Sequence, residues 1–135
     1  MCGGPSAPIA MTDPAPLVTG VDYLFVPTRD FARAARFYGE ILGMPCRALY
    51  RRVPGGEFQA GPLTLQVVES TAIGRRFRPS AGVIALHVED VPAARARLEA
   101  AGVTFAETID TGVCHMAHFT DPDGNELLLH HRYAP

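Results

Sequence analysis

Lysine and tryptophan are absent from this chain of 135 residues, and all 12 of its basic residues are arginine. We read the missing lysine, together with abundant alanine, as a compositional bias before any functional signal. A net charge of −2 with no basic stripe argues against nucleic acid as a main partner. No stretch reaches the roughly 18 unbroken apolar residues of a transmembrane helix. The opening Met1-Cys-Gly-Gly-Pro-Ser-Ala-Pro has neither a basic n-region nor an apolar h-region, so no signal peptide is expected. Cys2 follows no apolar run of the lipoprotein type, and lipidation is not expected either. Cys2, Cys46 and Cys114 are odd in number and unrelated in spacing. They form no disulfide framework and no zinc motif, and the expected compartment is the reducing cytoplasm. Gly-rich phosphate loops, Walker motifs and nucleophile elbows are also missing.

What is present is a globular composition, 47% hydrophobic and 19% charged, of a length suited to one domain. Residues 1–18 carry Pro5, Pro8, Pro14 and Pro16 and read as a flexible N-terminal arm. Residues 19–135 read as the domain. Its pattern begins with a β-rich run, Val21–Val26, closed by Pro27. Asp30 then suits a helix N-cap. Phe31, Ala34, Ala35, Tyr38, Ile41 and Leu42 make one apolar helical face, and Gly43 supplies the stop. Three short strands are expected over 46–53, 57–60 and 63–69, with turns at Pro54-Gly55-Gly56 and Gly61-Pro62. A loop over 70–79 places Arg75, Arg76 and Arg78 around Phe77, as an anion clamp or, twice as favoured, a solvated linker.

The pattern then restarts. Val83–Val88 is a strand, Asp90 an N-cap with Pro92 in the first turn, and Gly102 a stop. Strands follow over 103–109, 113–120 and 125–131. The last two enclose Asp121-Pro122-Asp123-Gly124-Asn125, where Pro122 suits the second position of a type I turn. Asp121 and Asp123 read as turn residues sooner than as a general-acid pair. The two capping aspartates stand 60 residues apart, so a βαβββ unit occurs twice. The expected fold is α+β: two modules, about 19–70 and 81–133. Their eight strands form a curved sheet around a groove, with the two main helices outside. Such a groove is a ready small-molecule site.

The paired pattern, the helix Asp30-Phe-Ala-Arg-Ala-Ala-Arg-Phe-Tyr-Gly-Glu-Ile-Leu-Gly-Met-Pro45 and the turn Asp121–Asn125 resemble the vicinal oxygen chelate superfamily. That superfamily includes glyoxalase I, extradiol dioxygenases, fosfomycin-resistance enzymes and bleomycin-resistance binding proteins. The resemblance covers roughly residues 20–133. It implies a homodimer, and in enzymatic members a divalent metal held by His, Glu or Gln from the first and last strand of each module. Carried over by position, those ligands fall at Tyr23, Gln66, Val83 and Leu128. Val83 and Leu128 offer no donor atom, so no family-type metal site and no cofactor are expected.

Five histidines, His87, His115, His118, His130 and His131, fall on expected strands. His130 has the parity of Leu128 and Glu126, the face of the family's last ligand; His115 has the parity of Phe119. In one hairpin register His115 lies opposite His130; slipped by one, His118 takes that place. His130 and His115 are therefore the candidates for a general base, or with Glu126 for a displaced two-histidine metal site. Tyr23, Gln66, Val83, Glu126, Leu128 and Phe119 are the candidate ligand contacts. Cys114 beside His115 reads as a buried, inert thiol. The leading expectation is a metal-independent protein binding a small organic molecule. Two alternatives stay open. One is a lyase, isomerase or dioxygenase using Ni, Zn, Mn, Fe or Co on displaced His and Glu ligands. The other is a structural or regulatory dimer with a filled cavity.

Overall fold

The computed structural model describes residues 15–135, so residues 1–14 of the expected arm lie outside the described part. Eight strands and two helices follow in the order the repeat demands. The first module is β1 (Leu24–Thr28), α1 (Phe31–Ala35) running on as a wide π-type segment (Arg36–Ile41), β2 (Cys46–Leu49), β3 (Gly55–Ala60) and β4 (Leu63–Glu69). The second is β5 (Ile84–His87), α2 (Val91–Ala100), β6 (Ile109–Asp110), β7 (Cys114–Thr120) and β8 (Glu126–Arg132). Each module forms a four-stranded mixed sheet, β1-β4-β3-β2 and β5-β8-β7-β6, in which the first strand runs parallel to the last. Among the described residues no helix is long and apolar enough to cross a membrane.

The caps repeat almost atom for atom. Asp30 (φ −149°, ψ 99°) accepts from the Arg33 amide, and Asp90 (φ −148°, ψ 102°) from the Ala93 amide. Each carboxylate satisfies an amide that the first helical turn leaves without a partner. Gly43 at φ +74° and Gly102 at φ +95° follow the helices in the left-handed region that β-carbon-bearing residues avoid.

Beyond shifted strand ends and a 3-10 turn over Ser70–Ile73, the structure departs from the expected elements in three places. β1 starts at Leu24 and not Val21, and it runs through Pro27. Proline is tolerated there because β1 is a sheet edge, where one side of the backbone needs no partner. The first helix is not regular: Leu42 donates to the carbonyl of Phe37, five residues back. Phe37 and Tyr38 both point inward, at 5% and 0% exposure, on one face with Ala34 and Ile41. β6 is cut to two residues, and before it the Ala106 amide alone reaches across to His118.

One face of each sheet enters a common core. Val26, Phe58, Leu65 and Val67 from sheet one meet Ala117, Phe119, Leu127 and Leu129 from sheet two, with both helices. Phe37 packs on Phe119 across the module boundary at 6.4 Å between ring centres. The Asp121–Asn125 turn clamps that boundary. Asp121 accepts from the amides of Asp123 and Asn125, both at 2.9 Å, from the Asn125 side chain at 2.7 Å and from the Tyr38 hydroxyl at 2.6 Å. Asp123 reaches into module one, where Thr28 and the amide of Arg29 donate to it and Arg33 pairs with it at 3.0 Å. Asn125 completes the clamp by donating to the carbonyl of Pro27 at 2.8 Å. Burial and the neighbouring Asp121 carboxylate push the Tyr38 phenol far above its ordinary range, so it stays a neutral donor.

Removing a buried acceptor leaves the donors aimed at it without a partner. Asp123→Ala is therefore expected to lower unfolding free energy by about 2–4 kcal/mol, because Thr28 and Arg33 lose their shared acceptor. Tyr38→Phe is expected to cost about 1–2 kcal/mol, since Asp121 keeps its other donors. Urea denaturation measures both. Losses below about 0.5 kcal/mol would show that the modules are held by apolar packing alone.

Candidate functional site

Each sheet turns its second face away from the common core. On sheet one, strand pairing puts Phe25, Gln66 and Glu57 in one row across β1, β4 and β3. Tyr50 closes over this row. Its hydroxyl donates to Glu57 at 2.6 Å and accepts from the Gln66 amide at 3.0 Å. Burial, then the hydrogen bond to Glu57, hold the Tyr50 phenol above its ordinary pKa. Tyr23 stands beside this network, half exposed just before β1. Sequence reading placed Tyr23 and Gln66 here but missed Tyr50 and Glu57. Glu57 was within reach: pairing Ala60 with Leu63 at the Gly61-Pro62 turn sets it opposite Gln66.

On sheet two the hairpin adopts the second of the two registers considered. His118 pairs with Leu128, Met116 with His130, and His115 with His131. His118, Leu128, His130 and Met116 therefore share the outward face, and Ala85 lies next to Leu128. Leu128 is nearly sealed at 8% exposure, whereas Val83 is exposed and precedes β5. Glu126 is exposed opposite Thr120. His115 stands on the other face, so it does not meet His130, and its ring reaches Asp110 at 3.3 Å. Phe119 lies in the core against Phe105 and Phe37, so it joins neither open face. Cys114 is buried, while Arg75, Arg76 and Arg78 are exposed on the linker. Phe77 lies under the guanidinium of Arg29 at 4.5 Å.

Two further features lie off these faces. A cavity of about 720 Å³ opens between the modules, walled by Ile41, Leu63, Ile84, Leu86 and Leu98 with Arg97 and His87 among its few polar groups. None of the expected site residues lines it. At its edge His87, Glu89 and His131 can each present a donor atom within 4.8 Å of the others.

The sequence model of the Glyoxalase/Bleomycin resistance protein/Dioxygenase superfamily matches residues 20–129. The chain belongs to that superfamily. No curated protein matches the chain. A glyoxalase/bleomycin resistance protein from Streptomyces sp. CB03234 is 28% identical, with a TM-score of 0.66 over 82% of this chain and 100% of that one. TnmS3, an antibiotic binding protein from Streptomyces sp. CB03234, is 25% identical, with a TM-score of 0.72 over 85% and 97%. Lactoylglutathione lyase from Agrobacterium tumefaciens shares the fold at 15% identity, with a TM-score of 0.70 over 85% and 95%.

The positions matched to the ligands of metal-dependent members hold Tyr23, Gln66, Val83 and Leu128. Val83 and Leu128 carry only carbon beyond the backbone. Gln66 and Tyr23 are the two positions left with a donor atom, an amide oxygen and a phenol, and Gln66 donates through Nε2 to the Tyr50 hydroxyl. This set does not fit a divalent cation. What the open faces do offer is aromatic surface, a hydrogen-bonding chain through Gln66, Tyr50 and Glu57, and imidazoles beside an apolar patch.

The carboxylate of Glu57 opposes a phenolate at Tyr50. Glu57→Gln is therefore expected to lower the pH at which Tyr50 ionises, read as tyrosinate absorbance against a Tyr50→Phe control. An unchanged or raised titration would mean that the two groups do not interact in solution.

Proposed function

We propose that this superfamily member binds a small organic molecule in a groove between its open sheet faces, without the metal of its enzymatic relatives. The observation that carries the reading is the replacement of two ligand positions by Val83 and Leu128 on an otherwise intact scaffold. Tyr23 and Gln66 would contact the ligand from sheet one. Val83, Glu126, Leu128 and His130 would contact it from sheet two, with His130 the group best placed to accept or donate a proton. Tyr23, Phe25 and Tyr50 favour a ligand with a planar unsaturated system, and Gln66 and Glu57 favour one with hydroxyl or carbonyl groups. The likeness to an antibiotic binding protein supports the same class of ligand.

The groove needs two sheet faces to meet. β1 and β5 are free edges of their sheets, each with one side of its backbone unpaired. Pairing these edges between two copies would bring sheet one of one protomer beside sheet two of the other. A homodimer is thus part of the proposal.

Titration with bleomycin and with planar aromatic antibiotics tests it. Affinity for a bound compound is expected to be the same, within about twofold, before and after treatment with a strong chelator. Tyr23→Ala and Leu128→Glu should each weaken it by about tenfold or more, the second by setting a charge in an apolar contact. Affinity that collapses on chelation and returns with a divalent metal would overturn the metal-free reading.

A further inference from the structure

We propose that His87, Glu89 and His131 form a binding site for a divalent transition cation, Zn²⁺ being the best fit, separate from the groove. The site is built by the ends of two neighbouring strands. His87 closes β5 and pairs in register with His130 on β8, and His131 is the next residue along. Successive strand residues point to opposite faces, so His131 leaves the face of Leu128 and turns toward the side of Leu129. His87 is the last residue of β5, and its ring meets that of His131 at 5.7 Å, centre to centre. Glu89 follows in the short connection before the Asp90 cap and meets His87 Nε2 at 2.8 Å.

Two imidazoles and a carboxylate are a recurrent zinc donor set, completed by water or an exogenous ligand. Zinc holds nitrogen and oxygen donors at about 2.0–2.2 Å, so neighbouring ligands in a tetrahedron stand about 3.4 Å apart. The three donor atoms here already lie within 4.8 Å of one another. His87 and Glu89 have 63% and 87% of their side chains exposed, so small rotations of unpacked side chains would bring them to bonding distance. His131 supplies the independent sign. Its Nδ1 is buried with no hydrogen-bond partner, and the protein leaves this ring incompletely satisfied. A cation on the ring, or water held by that cation, is a fitting partner.

The next groups along the same face are His115, opposite His131, and Asp110, which holds His115 at 3.3 Å. They form a separate ion pair and leave the trio its own donors. His87 also lines the inter-module cavity, so the open coordination position of the metal would lie at the cavity rim. The carried-over family positions, Tyr23, Gln66, Val83 and Leu128, take no part.

The inference does not depend on the groove reading, and its test uses the untagged full chain with Zn²⁺ alone. Competition against a chromophoric chelator measures affinity and stoichiometry, and circular dichroism confirms that each variant is folded. One Zn²⁺ per chain is expected. His87→Ala and His131→Asn should each weaken binding by at least about tenfold, and Glu89→Gln should weaken it less. Cys46→Ser, which removes the exposed thiol, should bind as the unaltered chain does. Absence of saturable sub-millimolar binding would overturn the site. So would binding that survives both histidine changes, or that vanishes with Cys46.

Discussion

Two buried carboxylates, Asp121 and Asp123, hold the two halves of this protein in register. Neither is paired within its own module alone. Asp121 organises the turn and meets the Tyr38 hydroxyl, and Asp123 collects Thr28, the Arg29 amide and Arg33 from module one. A carboxylate withdrawn from water is costly unless its lone pairs are filled, and module one supplies Tyr38 for Asp121 and the side-chain partners of Asp123. The turn therefore sets where sheet two stands against α1. It also sets which faces are buried together and which are left open.

The open faces follow from that arrangement. With Phe58, Leu65, Phe119 and Leu129 committed to the shared core, alternation along each strand sends Gln66 and Glu57 outward on one sheet, and Leu128, His118 and His130 on the other. The same alternation parts His130 from His131. One face carries the positions matched to the family's ligands, and the His87, Glu89 and His131 trio gathers where β5 ends.

Much of this was legible from residue order, for identifiable reasons. Asp30 and Asp90 cap their helices with nearly equal backbone angles because each sits before an apolar turn and a later glycine stop. The apolar character of positions 83 and 128 needs no structure to read. What stayed hidden depends on distance along the chain or on local irregularity. Asp123 and the Arg29 amide are 94 residues apart, and no local pattern announces that bond. The wide turn after Ala35 left no mark in the spacing, because Ala34, Phe37, Tyr38 and Ile41 keep the i, i+3, i+4, i+7 pattern of a regular helix. The β7–β8 register could be narrowed to two choices but not decided. That single step moved His115 away from His130 and set His118 beside Leu128.

The central claim is that the superfamily's groove persists here with its metal chemistry removed. A crystal structure of the protein with a bound aromatic ligand, with anomalous scattering collected across metal absorption edges, tests it most directly. The account predicts ligand density against Tyr23 and Gln66 of one protomer and Leu128 of its partner, with no anomalous peak among them. A metal peak bonded to Gln66 or Tyr23 would contradict it. Ligand seated instead in the cavity walled by Ile41, Leu63 and Leu98 would contradict it as well.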